Sequence, residues 1–144
     1  MPYKKSVNVS QRRKELRLAN PEQHRANAKR HQDKMYASDP FLYKVTARYR
    51  DVRSRAKMEG TEFSISFEWL LSAATAAHMR YGFDLSRGDS SGPNLMSLDR
   101  FDNLKGYTEE NTRVIPLWMN KAKNNFTADQ VREVLRYMEG VDTP

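Results

Sequence analysis

The chain contains no cysteine among its 144 residues. That excludes a disulfide framework and any cysteine-ligated zinc site, and it suits a reducing cytoplasm. No apolar run approaches the ~20 residues that span a bilayer. The opening segment, MPYKKSVNVSQRRK, lacks an apolar signal core, so the expectation is a cytoplasmic protein with no membrane partner. Histidine is scarce as well: only His24, His31 and His78 occur. Hydrophobic residues are 38% and charged residues 30% of the chain, so one domain with a modest core and polar, partly extended flanks is expected.

Positive charge is plentiful, and it is uneven. Within the net +7, residues 1–58 hold 16 Lys/Arg against 5 Asp/Glu, and residues 59–144 hold 9 against 13. A basic half joined to a mildly acidic half suggests a polyanion-binding arm over 1–58 and a separate folded module over 59–144. Lysines and arginines gathered this way displace counterions from a phosphate backbone.

Residues 1–10 have no periodicity and read as a flexible tail. Gln11 to about Lys34 has helix formers but almost no apolar stripe, so a helix there cannot bury itself. Asn20-Pro21 and Asp39-Pro40 each place a capping residue before a proline, a helix-start signal. Phe41–Met58 carries Phe41, Val45, Tyr49, Val52 and Ala56 at helical spacing, ringed by Arg48, Arg53, Arg55 and Lys57, with Gly60 as the stop. Thr61–Ser66 alternates as a short strand or extended segment. Ser66 can cap a helix over Phe67–Arg80 that Gly82 ends. Residues 86–94 form a loop, and Leu95–Phe101 alternates as a strand in which Leu98 and Phe101 are apolar. Thr112–Ile115 reads as a return strand and a helix starts near Pro116. Thr127 and Gln130 form a capping box for a last helix whose stripe of Val131, Val134, Leu135 and Met138 reads as structural. Trp69 and Trp118 fit core stripes.

The segment 95–123, LMSLDRFDNLKGYTEENTRVIPLWMNKAK, carries the chemistry. Asn111 lies twelve residues after Asp99, and Asn120 nine residues further on. An acid and two amides in this order can seat one hard divalent cation against a phosphate, because Mg²⁺ prefers oxygen ligands.

The segment resembles the HNH branch of the His-Me finger (ββα-metal) endonucleases, most closely phage-borne and homing-type members. The matching phrases are Ser97–Asp102 (SLDRFD), Lys105–Thr108 (KGYT), Asn111, and Asn120 with Lys123. A looser match lies in Arg55-Ala56-Lys57, Gly60 and Phe63. The resemblance implies an α+β, mainly helical fold: a ββα-metal hairpin–helix core flanked by helices, with a basic helical N-terminal arm. It implies phosphodiester hydrolysis in DNA with one Mg²⁺ or Mn²⁺ per site. Asp99 and Asn120 would be the metal ligands, Asn111 would be a catalytic-site residue fixing the loop and the position of the base, and Lys123 would approach a phosphate. Lys121, Lys105, Arg48, Arg53, Arg55, Lys57, Arg30 and Lys29 are further candidates for contacts to the duplex backbone. A monomer would nick one strand, and a homodimer would cut both. A phage-encoded nuclease of this kind would act inside a bacterial host cell.

Two departures accompany the match. Arg100 stands where the pattern has its water-activating histidine, and a guanidinium stays protonated at neutral pH. Arg100 would instead clamp the scissile phosphate. The base would then be a metal-bound water assisted by Asp102, or His78, His24 or His31 brought in by the fold. Alternatively the chain is a catalytically degenerate DNA-binding or virion-associated protein, or an RNA- or ribosome-associated basic protein. Upstream, relatives often carry a cysteine-containing turn with a Thr-Gly step, where this chain has His78-Met-Arg-Tyr-Gly-Phe-Asp-Leu85.

Overall fold

A computed structural model describes residues 9–88, 92–124 and 126–141. The expected tail falls outside these residues as far as Asn8, as do the centre of the 86–94 loop and the last three residues. The chain divides into two compact units, Met1–Asp39 and Pro40–Pro144.

The first unit contains α1 (Val9–Ala19) and α2 (Pro21–Ser38), and neither helix buries a residue. The break between them is chemical. The Asn20 side chain accepts from the Gln23 amide at 3.2 Å, and Pro21 occupies the first helical position, where its missing N–H costs nothing. The helix start signalled by Asn20-Pro21 is present, and it divides the polar stretch into two helices.

The second unit is α+β and mostly helical: α3 (Pro40–Glu59), α4 (Phe67–Tyr81), β1 (Met96–Arg100), β2 (Thr112–Pro116), α5 (Leu117–Lys123) and α6 (Ala128–Met138). Helix α3 belongs here and not to the basic arm, so the arm ends at Asp39 rather than at residue 58. Its Val45, Val52 and Ala56 are fully buried, and it packs on α4 and β1. Val45 and Val52 each contribute about 2 kcal/mol by leaving water, more than exposed charges on the same helix can set against it. Helix α4 adds Leu70, Ala74 and Ala77 to this core. Ser66 caps its start, accepting from the Trp69 amide at 3.1 Å. Gly82 ends it at φ +63°, a left-handed conformation that glycine adopts without strain.

Strands β1 and β2 pair antiparallel, with Leu98 opposite Val114 and Asp99 opposite Arg113. The strand run stops at Arg100. Phe101, expected within the strand, lies in the following turn and is exposed, with the Arg113 and Lys123 cations near its ring. Residues 61–66 are extended but form no strand. Their link to the hairpin is one parallel bridge, Phe63 to Tyr107, closed by Ser64 N–H donating to the Tyr107 carbonyl and Tyr107 N–H donating to that of Glu62.

Helix α5 follows β2 directly. Its first free N–H groups, on Leu117 and Trp118, donate to the carbonyls of Leu95 and Pro93, which fixes the angle between helix and hairpin. Trp118 is half exposed and is not a core residue. The capping box of α6 is present as expected, but Val131, Val134, Leu135 and Met138 are 45–76% exposed, so its stripe is not packed. Amphipathy orders a helix face; burial needs a neighbour, and none of the described elements covers this one. Among the described residues no helix is long and apolar enough to cross a membrane.

Gly106 permits a close approach between the hairpin turn and residue 62. A Cβ there would lie 2.5 Å from the Glu62 Cβ and 2.7 Å from the Glu62 carbonyl oxygen. Gly106→Ala is expected to cost about 2 kcal/mol through this overpacking, read as a lowered Tm. An unchanged Tm would mean that the Phe63–Tyr107 bridge is not held this closely.

Candidate functional site

The outer face of the hairpin, the start of α5 and one side of α3 enclose a cleft of about 350 Å³. A second recess of about 440 Å³ adjoins it along α5, and both are lined by Asp99, Arg100 and Asn120. The sequence-predicted acid, its neighbouring arginine and the helical amide thus meet in one place.

Strand periodicity sets the first part of this arrangement. Leu98 points into the core, so Ser97 and Asp99 share the opposite face of β1. Asn120, on α5, donates its Nδ2 to Ser97 Oγ at 2.8 Å. Among the described residues the Asn120 Oδ1 has no hydrogen-bond partner, and neither has the Asp99 Oδ1. Two hard oxygens, one anionic, are therefore available at the cleft. That donor set fits Mg²⁺ or Mn²⁺, which take carboxylate and amide oxygens and complete their shells with water and phosphate. Among the described residues no group of three or more His, Asp or Glu side chains is placed to hold a metal, so a cation here would rely on substrate and water.

Lys123 occupies a different position from the one expected. Its Nζ lies 2.7 Å from Asp99 Oδ2, 2.6 Å from the Arg100 carbonyl and 3.1 Å from the Phe101 carbonyl. An ammonium has three N–H donors, and these three acceptors use all of them. Lys123 is a clasp between α5 and the end of β1 rather than a free phosphate contact.

Asn111 is buried, and every polar atom of its amide is engaged. Oδ1 accepts from the Asp102 N–H at 2.9 Å, and Nδ2 donates to the carbonyls of Asp102 at 3.0 Å and Gly106 at 2.9 Å. It shapes the turn between the strands and does not line the cleft. Asp102 does not line it either. Its Oδ1 accepts from the Leu104 N–H at 2.9 Å, and Oδ2 sits 3.7 Å from the exposed Lys105. Assistance from Asp102 to a water in the cleft does not fit this placement. Arg100 donates to the Lys105 carbonyl at 3.1 Å, and its guanidinium lies 5.3 Å from the centre of the Tyr107 ring.

None of the cleft-lining residues is a histidine. His78 Nδ1 accepts from the Phe83 N–H at 2.9 Å, and its ring packs between Phe41 and Phe83. It is a packing residue at the end of α4. His24 and His31 lie on α2, in the first unit.

Helix α3 supplies what the motif alone did not reveal. Arg48, Arg55 and Glu59 line the cleft, whereas Arg53 and Lys57 point elsewhere into solvent. Partial burial and the nearby Arg55 draw the Arg48 pKa below its ordinary value, and Asp51 opposes them; burial is the largest of these effects. Two guanidinium groups lining one cleft favour an anion there, although Asp51 has the larger charge effect on Arg48. Lys121 lines the adjoining recess, and Lys105 is exposed on the hairpin turn. Glu59 and Ser97 went unnoticed in the sequence, although a signal existed. Arg48, Arg55 and Glu59 stand at i, i+7 and i+11 on one helix face, and Ser97 is two residues from Asp99 on one strand face.

Comparison with family models, curated proteins and solved structures returned no match, so the functional reading rests on the residues and their geometry.

Asn111→Ala would leave a buried carbonyl and an amide without partners and is expected to destabilise the fold by about 3 kcal/mol. Urea unfolding followed by circular dichroism measures this. A loss below about 1 kcal/mol would show that water replaces the amide and that the turn does not depend on it.

Proposed function

We propose that this chain is a metal-dependent DNA endonuclease of the HNH type, with β1, β2 and α5 as its ββα-metal core. The observation that carries the reading is the convergence of Asp99, Asn120, Arg48 and Arg55 on one cleft, with an oxygen of Asp99 and one of Asn120 unclaimed. The resemblance of residues 97–123 to the family's motif supports the same conclusion.

In this reading Asp99 and Asn120 would hold one Mg²⁺ or Mn²⁺, which would supply charge neutralisation for phosphodiester hydrolysis. Ser97 holds the Asn120 amide so that its oxygen faces the cleft. Arg48 and Arg55 bind the non-bridging oxygens of the phosphate, which relieves their mutual repulsion. Arg100 cannot accept a proton at neutral pH, so it serves as a further phosphate clamp. Glu59 is the cleft carboxylate not tied to Lys123, and it is the group here assigned to take the proton from the attacking water. The basic α1 and α2 add electrostatic affinity for the duplex.

A second reading has its own supporting observation. No histidine lines the cleft and Asp99 is already paired with Lys123, as expected of a scaffold that binds DNA without cleaving it.

Supercoiled plasmid with Mg²⁺ or Mn²⁺ separates the two. Nicking by the wild type, lost in Asp99→Ala, is the expected result; a plasmid left intact at high protein concentration with either metal defeats the nuclease reading. Ser97→Ala is expected to weaken Mn²⁺ binding about tenfold in a titration, because the group orienting a ligand is removed while the ligand stays. Equal affinity in that variant would remove Ser97 from the site.

A further inference from the structure

Helix α2 carries more information than net charge. At about 100° per residue, Gln23, His24, Asn27, Arg30, His31 and Lys34 fall within one sector about 120° wide. All six are exposed. The sector contains neither an acidic nor an apolar side chain; Glu22 and Asp33 lie together outside it. A helix that only needed solubility would scatter its charges, and one that only tracked phosphates would have no use for paired amides.

The amides are paired. Gln23 Nε2 donates to Asn27 Oδ1 at 3.0 Å. This bond orders both side chains and fixes the Asn27 amide, whose Oδ1 keeps a second lone pair as an acceptor beside the Nδ2 donor of the same group. An acceptor next to a donor is complementary to the N6 amino group and N7 of adenine in the major groove. Two turns further along the same face stand Arg30 and Lys34, whose donors suit guanine O6 and N7. The midpoints of the two pairs are seven residues apart, about 10 Å along the helix axis, or about three base pairs of B-DNA.

We infer that α2 is a base-reading helix that lies in the major groove of duplex DNA. Gln23 and Asn27 select adenine, and Arg30 and Lys34 select guanine about three base pairs away. Duplex DNA is favoured over duplex RNA because an α-helix matches the B-form major groove in width, whereas the A-form groove is deep and narrow. The inference rests on the nuclease reading only in taking DNA as the partner. It goes beyond phosphate tracking, because it assigns sequence preference to named side chains.

The test is selection of bound duplexes from a random pool by the full chain, with EDTA present so that nothing is cut. Enrichment of a motif with adenine and guanine about three base pairs apart is expected. Gln23→Ala/Asn27→Ala should lose the adenine preference and bind the selected duplex about tenfold more weakly, with affinity for unrelated DNA and its salt slope unchanged. Replacing that adenine by 7-deazaadenine should weaken the wild type similarly and leave the double variant indifferent. Both substitutions are at exposed positions of α2, and circular dichroism checks that its helix persists.

A pool that stays random, or the same motif recovered with the double variant, overturns the inference. So does tighter binding to an RNA duplex than to DNA. Plasmid nicking without any enriched motif would sink the α2 assignment alone. Failure to bind DNA at any salt concentration would sink the nuclease reading with it.

Discussion

The ammonium of Lys123 ties the last turn of α5 to Asp99 and to two backbone carbonyls at the end of β1, and the cleft depends on that tie. A partly buried carboxylate is costly to desolvate, and a cation with well-directed donors offsets that cost. The arrangement holds the helix against the strand at one end, while the bonds from Leu117 and Trp118 to the carbonyls of Leu95 and Pro93 hold it at the other. Between these points Asn120 can reach Ser97, and it lines the same cleft as Asp99. The pair of oxygens proposed to bind metal thus follows from how a seven-residue helix is anchored at both ends.

Helix α3 serves two surfaces at once. Val45, Val52 and Ala56 form one stripe that sits in the core, and Arg48, Arg55 and Glu59 form another that borders the cleft. Burial of the first stripe orients the second. The guanidinium groups therefore need no partner on β1 or α5 to stay in place, and they remain available to an anion. Arg48 is the more enclosed of the two, and its pKa is lowered chiefly by that burial, against the opposing charge of Asp51 and with a smaller effect from Arg55.

The hairpin turn shows the same economy in hydrogen bonds. A single buried amide, Asn111, satisfies three backbone groups across the turn, and Gly106 lets that turn lie against residue 62. Asp102 is drawn into this turn and away from the cleft. The residues grouped by the motif accordingly separate by role: Asn111, Asp102 and Lys123 maintain the shape, while Asp99, Arg100 and Asn120 face the open space.

Much of this was legible in the amino-acid order. Caps and stops at Asn20-Pro21, Ser66, Gly82 and Thr127 set the helix limits, because they act through hydrogen bonds within a few residues. The spacing of Asp99, Asn111 and Asn120 identified the segment that forms the cleft, and period-3.6 patterns placed the core of α3 and α4. What could not be read locally depended on which surfaces meet. The stripe of α6 is as regular as that of α3 yet lies open, because periodicity orders a face without supplying the neighbour that covers it. Lys123 and Asp102 are charged groups near a candidate site, but only the three-dimensional path of the chain decides whether their atoms are taken by backbone carbonyls and amides or left for a ligand. Local order determined the elements and the candidate residues; the packing of α3 and α5 against one hairpin decided which of those residues share a cleft.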